Sequence, residues 1–248
     1  MKRGRHLATI FSLLCLALLS FGIALNVRTQ VTGRKAKPDF KSFPIVDFNK
    51  SESTEPDEQA KRQKKDKRYS KRYLPAINET SDELFSSRDW DRGLPALPIK
   101  QSAAIIIGTV TSAEAHLTQN RTSIYSEFAV SVDTIVKSDE SPSIQAGSTV
   151  SVERNGGRVR MPSGKIVVSW TRNQNMPEVG SRYALFLTHD FEVKGDVADS
   201  FYLLTGYELR SGRVFPLDAN SAAKAYTDRD ESLFLNDLLS AIATPPIN

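Results

Sequence analysis

The chain has 248 residues, with one cysteine, three histidines and a formal net charge of +4 at pH 7. The length fits one or two domains, and a single cysteine excludes an intramolecular disulfide or a site built from several cysteines. The basic excess lies in the N-terminal part, because residues 99–248 carry seventeen acidic and fourteen basic residues. Nucleic-acid-binding domains concentrate basic charge on the fold itself, so we expect no nucleic-acid partner.

Residues 1–27 form the first predicted segment. Basic residues precede Leu7–Val27, a stretch of 21 residues without a charge. About 20 apolar residues span a bilayer core, and basic residues before the span keep the N-terminus in the cytoplasm. Small residues ending at Ala24 also fit a signal-peptide cleavage site. The segment therefore predicts either an anchor in the cytoplasmic membrane with an exported C-terminal domain, or a secreted or periplasmic protein cleaved near Ala24.

Residues 28–88 are predicted to be a disordered, charged tether. The stretch Ser51–Arg72 contains no Ile, Leu, Val, Phe, Met or Trp, so it cannot bury enough apolar surface to offset the entropy of ordering. Within it, Lys61–Arg72 holds eight basic residues among twelve. Such a run is typical of a solvated spacer. The alternative is a segment that contacts an anionic envelope surface such as lipid head groups.

Residues 89–248 are predicted to form the folded domain, which begins with an extended arm over Trp90–Ile99. Prolines in the arm forbid a helix, and its apolar side chains are expected to dock on the domain. Alternating and β-branched stretches then predict strands over 103–111, 126–136, 149–153, 158–161, 166–170, 182–188, 201–209 and 213–217. In the second of these, Phe128, Val130, Val132 and Val136 are expected to share the buried face.

Turn residues separate the predicted strands. Gly108 inside the first strand indicates a bulge or a bend. Asn155-Gly156 predicts a tight hairpin because both turn residues need positive φ. Further turns are expected at Pro162–Lys165 and at Ser211-Gly212. These short strands and turns favour a small antiparallel barrel, closed or nearly so.

A C-terminal helix is predicted from about Asp230 to Ala243. Leu235, Leu238, Leu239 and Ile242 recur at helical spacing and are expected to pack on the barrel. The fold class is thus mainly β: a small antiparallel barrel with a C-terminal helix, preceded by the membrane or signal segment and the tether.

The stretch from Trp90 to Leu217 resembles a group of uncharacterised exported bacterial β-barrel proteins. The motifs that carry the resemblance are RDWDRGLPALP, IIIGTV, YSEF, VERNGGRV, RYALFL and LLTGYEL. The strand IIIGTV and the long strand ending in IVK are also similar to netrin-type and metalloproteinase-inhibitor barrels of the OB class. Those inhibitors act through an N-terminal cysteine amine held by disulfides, which this chain lacks, so the resemblance implies a fold and no mechanism.

One loop is the candidate ligand site. Arg154, Asn155, Gly156, Gly157, Arg158 and Arg160 combine a glycine turn, whose backbone amides can cradle an anion, with three arginines. The alternative interpretation is a tight hairpin with solvated arginines. No metal or cofactor is expected, because His116, placed in a loop, and His189 show no ligand-pair spacing.

These observations favour a non-catalytic exported binding or structural module whose folded domain is monomeric. The alternative is a cell-envelope hydrolase that uses His189 with carboxylates brought together by the fold. Because adjacent residues on a strand point to opposite faces, His189 and Asp190 are poorly placed to form a catalytic pair.

Overall fold

The computed structural model describes residues 39–50, 55–70, 74–86, 93–138, 144–189 and 201–244. In this part of the chain, no helix is both long enough and apolar enough to cross a bilayer. The predicted anchor or signal peptide at Leu7–Val27 lies outside the described residues, so its two alternatives remain predictions.

The described residues contain eleven strands and two α-helices. The strands are β1 (Ile45–Asp47), β2 (Leu84–Ser86), β3 (Ala104–Leu117), β4 (Ile124–Ser138), β5 (Thr149–Asn155), β6 (Gly157–Arg160), β7 (Ile166–Thr171), β8 (Arg182–Thr188), β9 (Phe201–Arg210), β10 (Arg213–Pro216) and β11 (Arg229–Asp230). The helices are α1 (Pro56–Tyr69) and α2 (Glu231–Ala243). Strand β3 continues well past its predicted end at Thr111.

Five of the strands close into a barrel. They follow one another in the order β3, β4, β5, β9 and β8, and β8 pairs with β3 again. Every pairing is antiparallel except that of β5 with β9, where Val152 lies opposite Phe201 in a parallel register. The predicted mainly β fold with a barrel and a C-terminal helix is therefore confirmed.

The barrel encloses an apolar core in which the strands alternate as period two requires. Phe128 and Val132 of β4 are buried in it. The predicted inward position of Val136 is wrong. Ile135 packs on this core, whereas Val136 packs on a second apolar cluster, outside the barrel and beneath the C-terminal helix. The pairing of β3 with β4 shifts register between Ile107 and Gly108, which lie opposite Thr134 and Val132, so Asp133 has no partner on β3. The bulge predicted at Gly108 is thus present, and such bulges reverse the alternation.

Helix α2 covers the outer face of the barrel. Phe234 and Leu238 are fully buried there, and Asp230 caps the helix by accepting hydrogen bonds from the amides of Ser232 and Leu233. The predicted packing of Leu239 is wrong: its side chain is 54% exposed. The buried stripe runs through positions 234, 238 and 242, and Leu239 falls off it.

The N-terminal arm docks on the same outer face, as predicted. Leu97 and Ile99 pack against the cluster beneath α2. The Tyr207 hydroxyl donates to the Ala96 carbonyl at 2.5 Å, which fixes the arm to β9. Trp90 lies outside the described residues.

A second sheet has the order β1, β6, β7, β2. The turn at Pro162–Lys165 joins β6 to β7 as predicted. The predicted hairpin at Asn155-Gly156 is wrong, because β5 pairs with β4 and β9 and not with β6. Gly156 and Gly157 have φ of 114° and 146°, and this glycine conformation carries the chain from the barrel into the second sheet.

The prediction of a disordered tether over 28–88 is wrong for the described parts of that range. Strand β1 pairs in parallel with β6, and β2 in parallel with β7. Helix α1, between them, lies against β4 and β5. The sequence argument failed because it counted apolar side chains only, whereas α1 is held by charged side chains and one tyrosine.

Candidate functional site

The structure does not assemble the predicted anion cradle, and Arg154 shows why. Its side chain is fully buried and forms a bidentate ion pair with Asp218, with both N–O distances 2.8 Å. Asp218 also accepts hydrogen bonds from the Thr205 hydroxyl at 2.9 Å and from the Asn175 amide at 2.9 Å. Arg154 therefore joins β5 to β9 and to the segment after β10, and its guanidinium does not face solvent.

The other predicted site residues also serve the fold. The Arg158 Nε donates to the Phe43 carbonyl at 2.8 Å, and Arg160 pairs with Asp47 at 3.1 Å, so both hold the segment around β1 to β6. Asn155 approaches Thr171 at 3.5 Å. A Cβ on Gly156 would lie 2.8 Å from the Ser169 carbonyl oxygen, and one on Gly157 2.9 Å from Ile124. These glycines sit in close packing and leave no open cradle.

Polar and charged side chains instead converge between α1 and the barrel. On β5, Glu153 is fully buried although it points away from the barrel core. It accepts a hydrogen bond from the Arg68 guanidinium at 2.8 Å and one from the Tyr69 hydroxyl at 2.9 Å. Lys65 lies 2.8 Å from Glu127 on β4 and 3.2 Å from Glu153. We call the surface formed by Tyr125, Glu127 and Glu153 the acidic face.

Aromatic rings complete the contact between α1 and the acidic face. The rings of Tyr69 and Tyr125 stack with centroids 4.3 Å apart and planes inclined by 10°. The Arg62 guanidinium lies 5.6 Å from the centroid of the Tyr125 ring. Tyr125 is fully buried, yet its hydroxyl has no hydrogen-bond partner among the described residues.

The electrostatics of this contact follow from burial and charge pairing. Burial alone would lower the pKa of Lys65, but Glu153 and Glu127 outweigh it and raise that pKa. Burial raises the pKa of Glu127, and the nearby Lys65 opposes the shift. Burial and the Glu153 charge raise the pKa of Tyr69 well above its usual value. Lys65 therefore stays charged at neutral pH, and Tyr69 stays a neutral donor.

His116 lies on β3, so its predicted loop position is wrong. Its Nδ1 contacts the Arg62 guanidinium, its Nε2 lies 3.3 Å from Glu127, and its ring stacks on Tyr125 with centroids 5.1 Å apart. Burial and the positive charge of Arg62 lower the pKa of His116 to about 4. The imidazole is consequently neutral near pH 7, where it accepts from Arg62.

A cleft of about 590 Å³ opens beside these side chains. Its walls come from β1 and the turn after it, α1, the end of β3, the loop of residues 118–123, and Glu127 of β4. Lys50 of the first wall pairs with Glu114 of β3. Arg121, on the loop, lies over the Phe48 ring with its guanidinium carbon 4.2 Å from the centroid.

The described residues contain no group of three or more His, Cys, Asp or Glu side chains that could hold a metal ion. His189, the other histidine considered for chemistry, tilts over Phe201 with ring centroids 4.7 Å apart. Asp190 lies outside the described residues.

Sequence reasoning missed α1, although its ends carry recognisable signals. Pro56 stands at the start of the helix, acidic Asp57 and Glu58 follow in the first turn, and basic Lys67 and Arg68 lie in the last turn. Proline is favoured at the first helical position, and this charge order complements the helix dipole. Three cations of the run expected to be solvated or to meet an anionic surface, Arg62, Lys65 and Arg68, contact the barrel instead.

No protein-family model matches the sequence, and no curated protein matches it either.

Proposed function

We propose that this chain is a non-catalytic binding module, exported and held at the outer face of the cytoplasmic membrane, whose ligand site is the cleft beside α1. The observation that carries the proposal is the cleft, a volume of about 590 Å³ lined by side chains of both charges from five segments of the chain. Binding sites for small ligands are concave and orient the ligand with a few converging polar groups.

The order of the barrel strands supports an OB-class assignment. An OB barrel has five Greek-key strands and binds ligands on the face of its second and third strands and at the loop between the first and second. Within this barrel, β4 and β5 are the second and third strands, and residues 118–123 join the first to the second. The cleft lies at that loop, beside the acidic face.

Arg121 gives the cleft a preference for a small anionic ligand. The three lysines that line the cleft already pair with glutamates. Among the described residues, by contrast, no carboxylate lies within ion-pairing distance of the Arg121 guanidinium, which is held in place over Phe48. A carboxylate or phosphate group can accept two parallel hydrogen bonds from such a guanidinium.

The surroundings of His116 support a non-catalytic role. A general base needs a free ring nitrogen and a pKa near the working pH. Both nitrogens of His116 face charged neighbours, Arg62 and Glu127, and the pKa of the ring is lowered to about 4 by burial and by Arg62. These features favour a structural imidazole.

The location of the module is proposed from the sequence alone. Leu7–Val27 has the length of a membrane span, and the resemblance to exported bacterial β-barrel proteins agrees with an exported domain. Cleavage near Ala24 would release the same domain as a secreted or periplasmic protein. We propose a monomeric domain, and a membrane partner only through residues 7–27.

The experiment compares the thermal unfolding of the full chain in acetate, citrate and inorganic phosphate, with choline chloride at equal ionic strength as the reference. A ligand that binds only the folded state raises the melting temperature in proportion to the logarithm of its concentration once it is well above its dissociation constant. We expect at least one of the three anions to raise it in this way.

Arg121→Gln tests whether the cleft is responsible. We expect this variant to lose the stabilisation by the anion. Arg213→Gln is the matched control, because Arg213 is also exposed but lies on β10 and pairs with Asp228. An equal response of the two variants, or no difference between any anion and the reference salt, would contradict a ligand site at Arg121.

A further inference from the structure

The acidic face draws its neutralising lysine and arginine from outside the barrel. Glu127 and Glu153 belong to barrel strands, whereas the cations paired with them, Lys65 and Arg68, both belong to α1. Without α1, the barrel would present two neighbouring carboxylates and the flat ring of Tyr125 to solvent. This combination of charge and aromatic surface suits a basic segment that carries an aromatic side chain.

Helix α1 contributes almost nothing to the apolar core. Only Asp66 and Tyr69 of the helix are buried, and no α1 residue belongs to the cluster inside the barrel or to the one beneath α2. The attachment of α1 to the barrel is therefore mainly electrostatic. Salt screens ion pairs more readily than it weakens apolar packing. We therefore expect the barrel to keep its core when α1 leaves.

The fit between α1 and the acidic face is incomplete. The Tyr125 hydroxyl is buried beneath α1 and has no hydrogen-bond partner among the described residues. Buried polar groups are almost always paired in proteins, so another occupant with an acceptor at the Tyr125 hydroxyl would make a contact that α1 does not make.

Helix α1 is attached to the second sheet on both sides. β1 precedes it and pairs with β6, and β2 follows it and pairs with β7. The helix can therefore lift from the barrel while both strands stay in place. Exchange of α1 between two copies of the chain would require at least one of these strands to leave its partner, so a foreign occupant is favoured.

We infer that the acidic face is a docking site for a lysine- and arginine-rich, tyrosine-bearing segment of a partner protein, and that α1 is the intramolecular occupant which that segment displaces. The inference does not depend on a ligand in the cleft. Because α1 is tethered beside the face, it competes at a high effective concentration, and the intact chain binds a foreign segment weakly.

The test uses a fluorescent peptide with the sequence of residues 55–70 and measures its binding to the full chain by fluorescence anisotropy. The variant Lys65→Ala/Arg68→Ala loosens α1. We expect it to bind the peptide at least tenfold more tightly than the wild type, and we expect the affinity to fall as potassium chloride is raised. The matched control is Lys165→Ala, which removes a lysine paired with Asp82 away from the acidic face.

Two further changes locate the binding. Adding Glu153→Gln to the loosened variant is expected to abolish the gain in affinity, whereas adding Arg121→Gln, in the cleft, is expected to leave it intact. If the double variant loses its cooperative unfolding transition, Tyr69→Ala replaces it, because this change removes the stacked ring and keeps both ion pairs.

Three results would overturn the inference. The loosened variants could bind the peptide no better than the wild type, or the gain could survive Glu153→Gln. Dimerisation of a loosened variant without peptide, measured by sedimentation, would assign the face to a second copy of this chain instead of a partner protein.

Discussion

Two neighbouring residues of β5 carry opposite charges and form two very different ion-pair clusters. Arg154 points into the barrel, where Asp218 binds it through two hydrogen bonds and both side chains are fully buried. Glu153 points outward, where Lys65 and Arg68 of α1 cover it. Successive side chains on a strand face opposite ways, so one strand serves both clusters.

The two ion-pair clusters connect different parts of the molecule. Arg154 and Asp218 connect segments that also share the apolar core, so neither partner can reach water unless the barrel opens. Glu153 connects the barrel to a helix that has little apolar packing, so its partners can return to water when the helix lifts. We expect the Arg154–Asp218 pair, the inner pair, to govern the free energy of global unfolding. We expect the ion pairs between the acidic face and α1, the outer cluster, to govern only the local equilibrium between docked and detached α1.

The largest expected effect is that of Arg154→Met. Removing one partner of a buried ion pair typically costs about 3–5 kcal/mol, because the other charge stays buried and unpaired. We expect a loss of this size in the free energy of unfolding, measured by urea denaturation of the full chain. The control is Arg154→Met combined with Asp218→Leu, which removes both charges and should recover part of the loss. A loss below about 1 kcal/mol in the single variant would contradict a buried pair.

The pH dependence of stability tests the contact between α1 and the acidic face, because His116 lies between Arg62 of the helix and Glu127 of that face. The folded-state pKa of this histidine is lowered from 6.5 to about 4, so its contribution is fully present above pH 6.5 and is lost as the pH falls towards 4. The shift corresponds to roughly 3 kcal/mol. We expect urea denaturation to show lower stability at pH 5 than at pH 7.

His116→Gln isolates that contribution from other titrating groups. Five charged groups also face the ring: Arg62, Lys50, Lys65, Glu114 and Glu127. Burial raises the pKa of Glu127, so this group changes stability in the opposite direction as the pH falls. The difference between wild type and variant, measured at each pH, should therefore shrink below pH 6.5. A difference that is constant from pH 7 to pH 5 would exclude a lowered pKa at His116.

Gly156→Val tests the connection between β5 of the barrel and β6 of the second sheet, which directly follows Glu153 and Arg154 in the chain. A β-branched residue at φ 114° is strained, and its Cβ would lie 2.8 Å from the Ser169 carbonyl oxygen. We expect a loss of about 1–3 kcal/mol in the free energy of unfolding. Gly164→Val is the control, because Gly164 also has positive φ but a Cβ there would meet no atom within 4 Å. Equal losses in the two variants would show that backbone strain alone explains the effect.

The smallest expected effect is that of Glu153→Gln. It removes the charge that holds Arg68 and Lys65, but both cations can turn into solvent, so we expect a loss of about 1 kcal/mol in global stability. Urea denaturation of this variant and of Arg154→Met under the same conditions compares the two losses in the free energy of unfolding. A loss as large as that of Arg154→Met would mean that α1 is an integral part of the cooperative fold.

The parts of the fold that the sequence predicted are those with apolar periodicity. Helix α2 follows from the spacing of its leucines and from Asp230 as a cap, and the arm follows from Leu97 and Ile99 between prolines. Strands β1 and β2 are three residues long, too short for a periodic pattern. Their partners lie on β6 and β7, far along the chain, which no local signal reveals.

The site was harder to predict than the fold because it depends on long-range pairing. Arg154 and Asp218 lie 64 positions apart, and nothing in the sequence VERNGGRV distinguishes a buried arginine from a solvated one. The contact of Arg68 with Glu153 spans 85 positions. A polar helix is predictable from its terminal charges, but the surface that it covers is known only from the fold.

We infer that charge holds α1 on the acidic face and that the barrel does not depend on this helix. Hydrogen–deuterium exchange of the full chain, followed by mass spectrometry at 50 and 500 mM potassium chloride (about 14 Å and 4 Å of screening length), tests it most directly. We expect protection of the α1 amides to fall about tenfold or more with added salt, while protection of β4, β5 and α2 stays unchanged. Equal protection of α1 at both salt concentrations, or loss of protection in α1 and the barrel together, would contradict the claim.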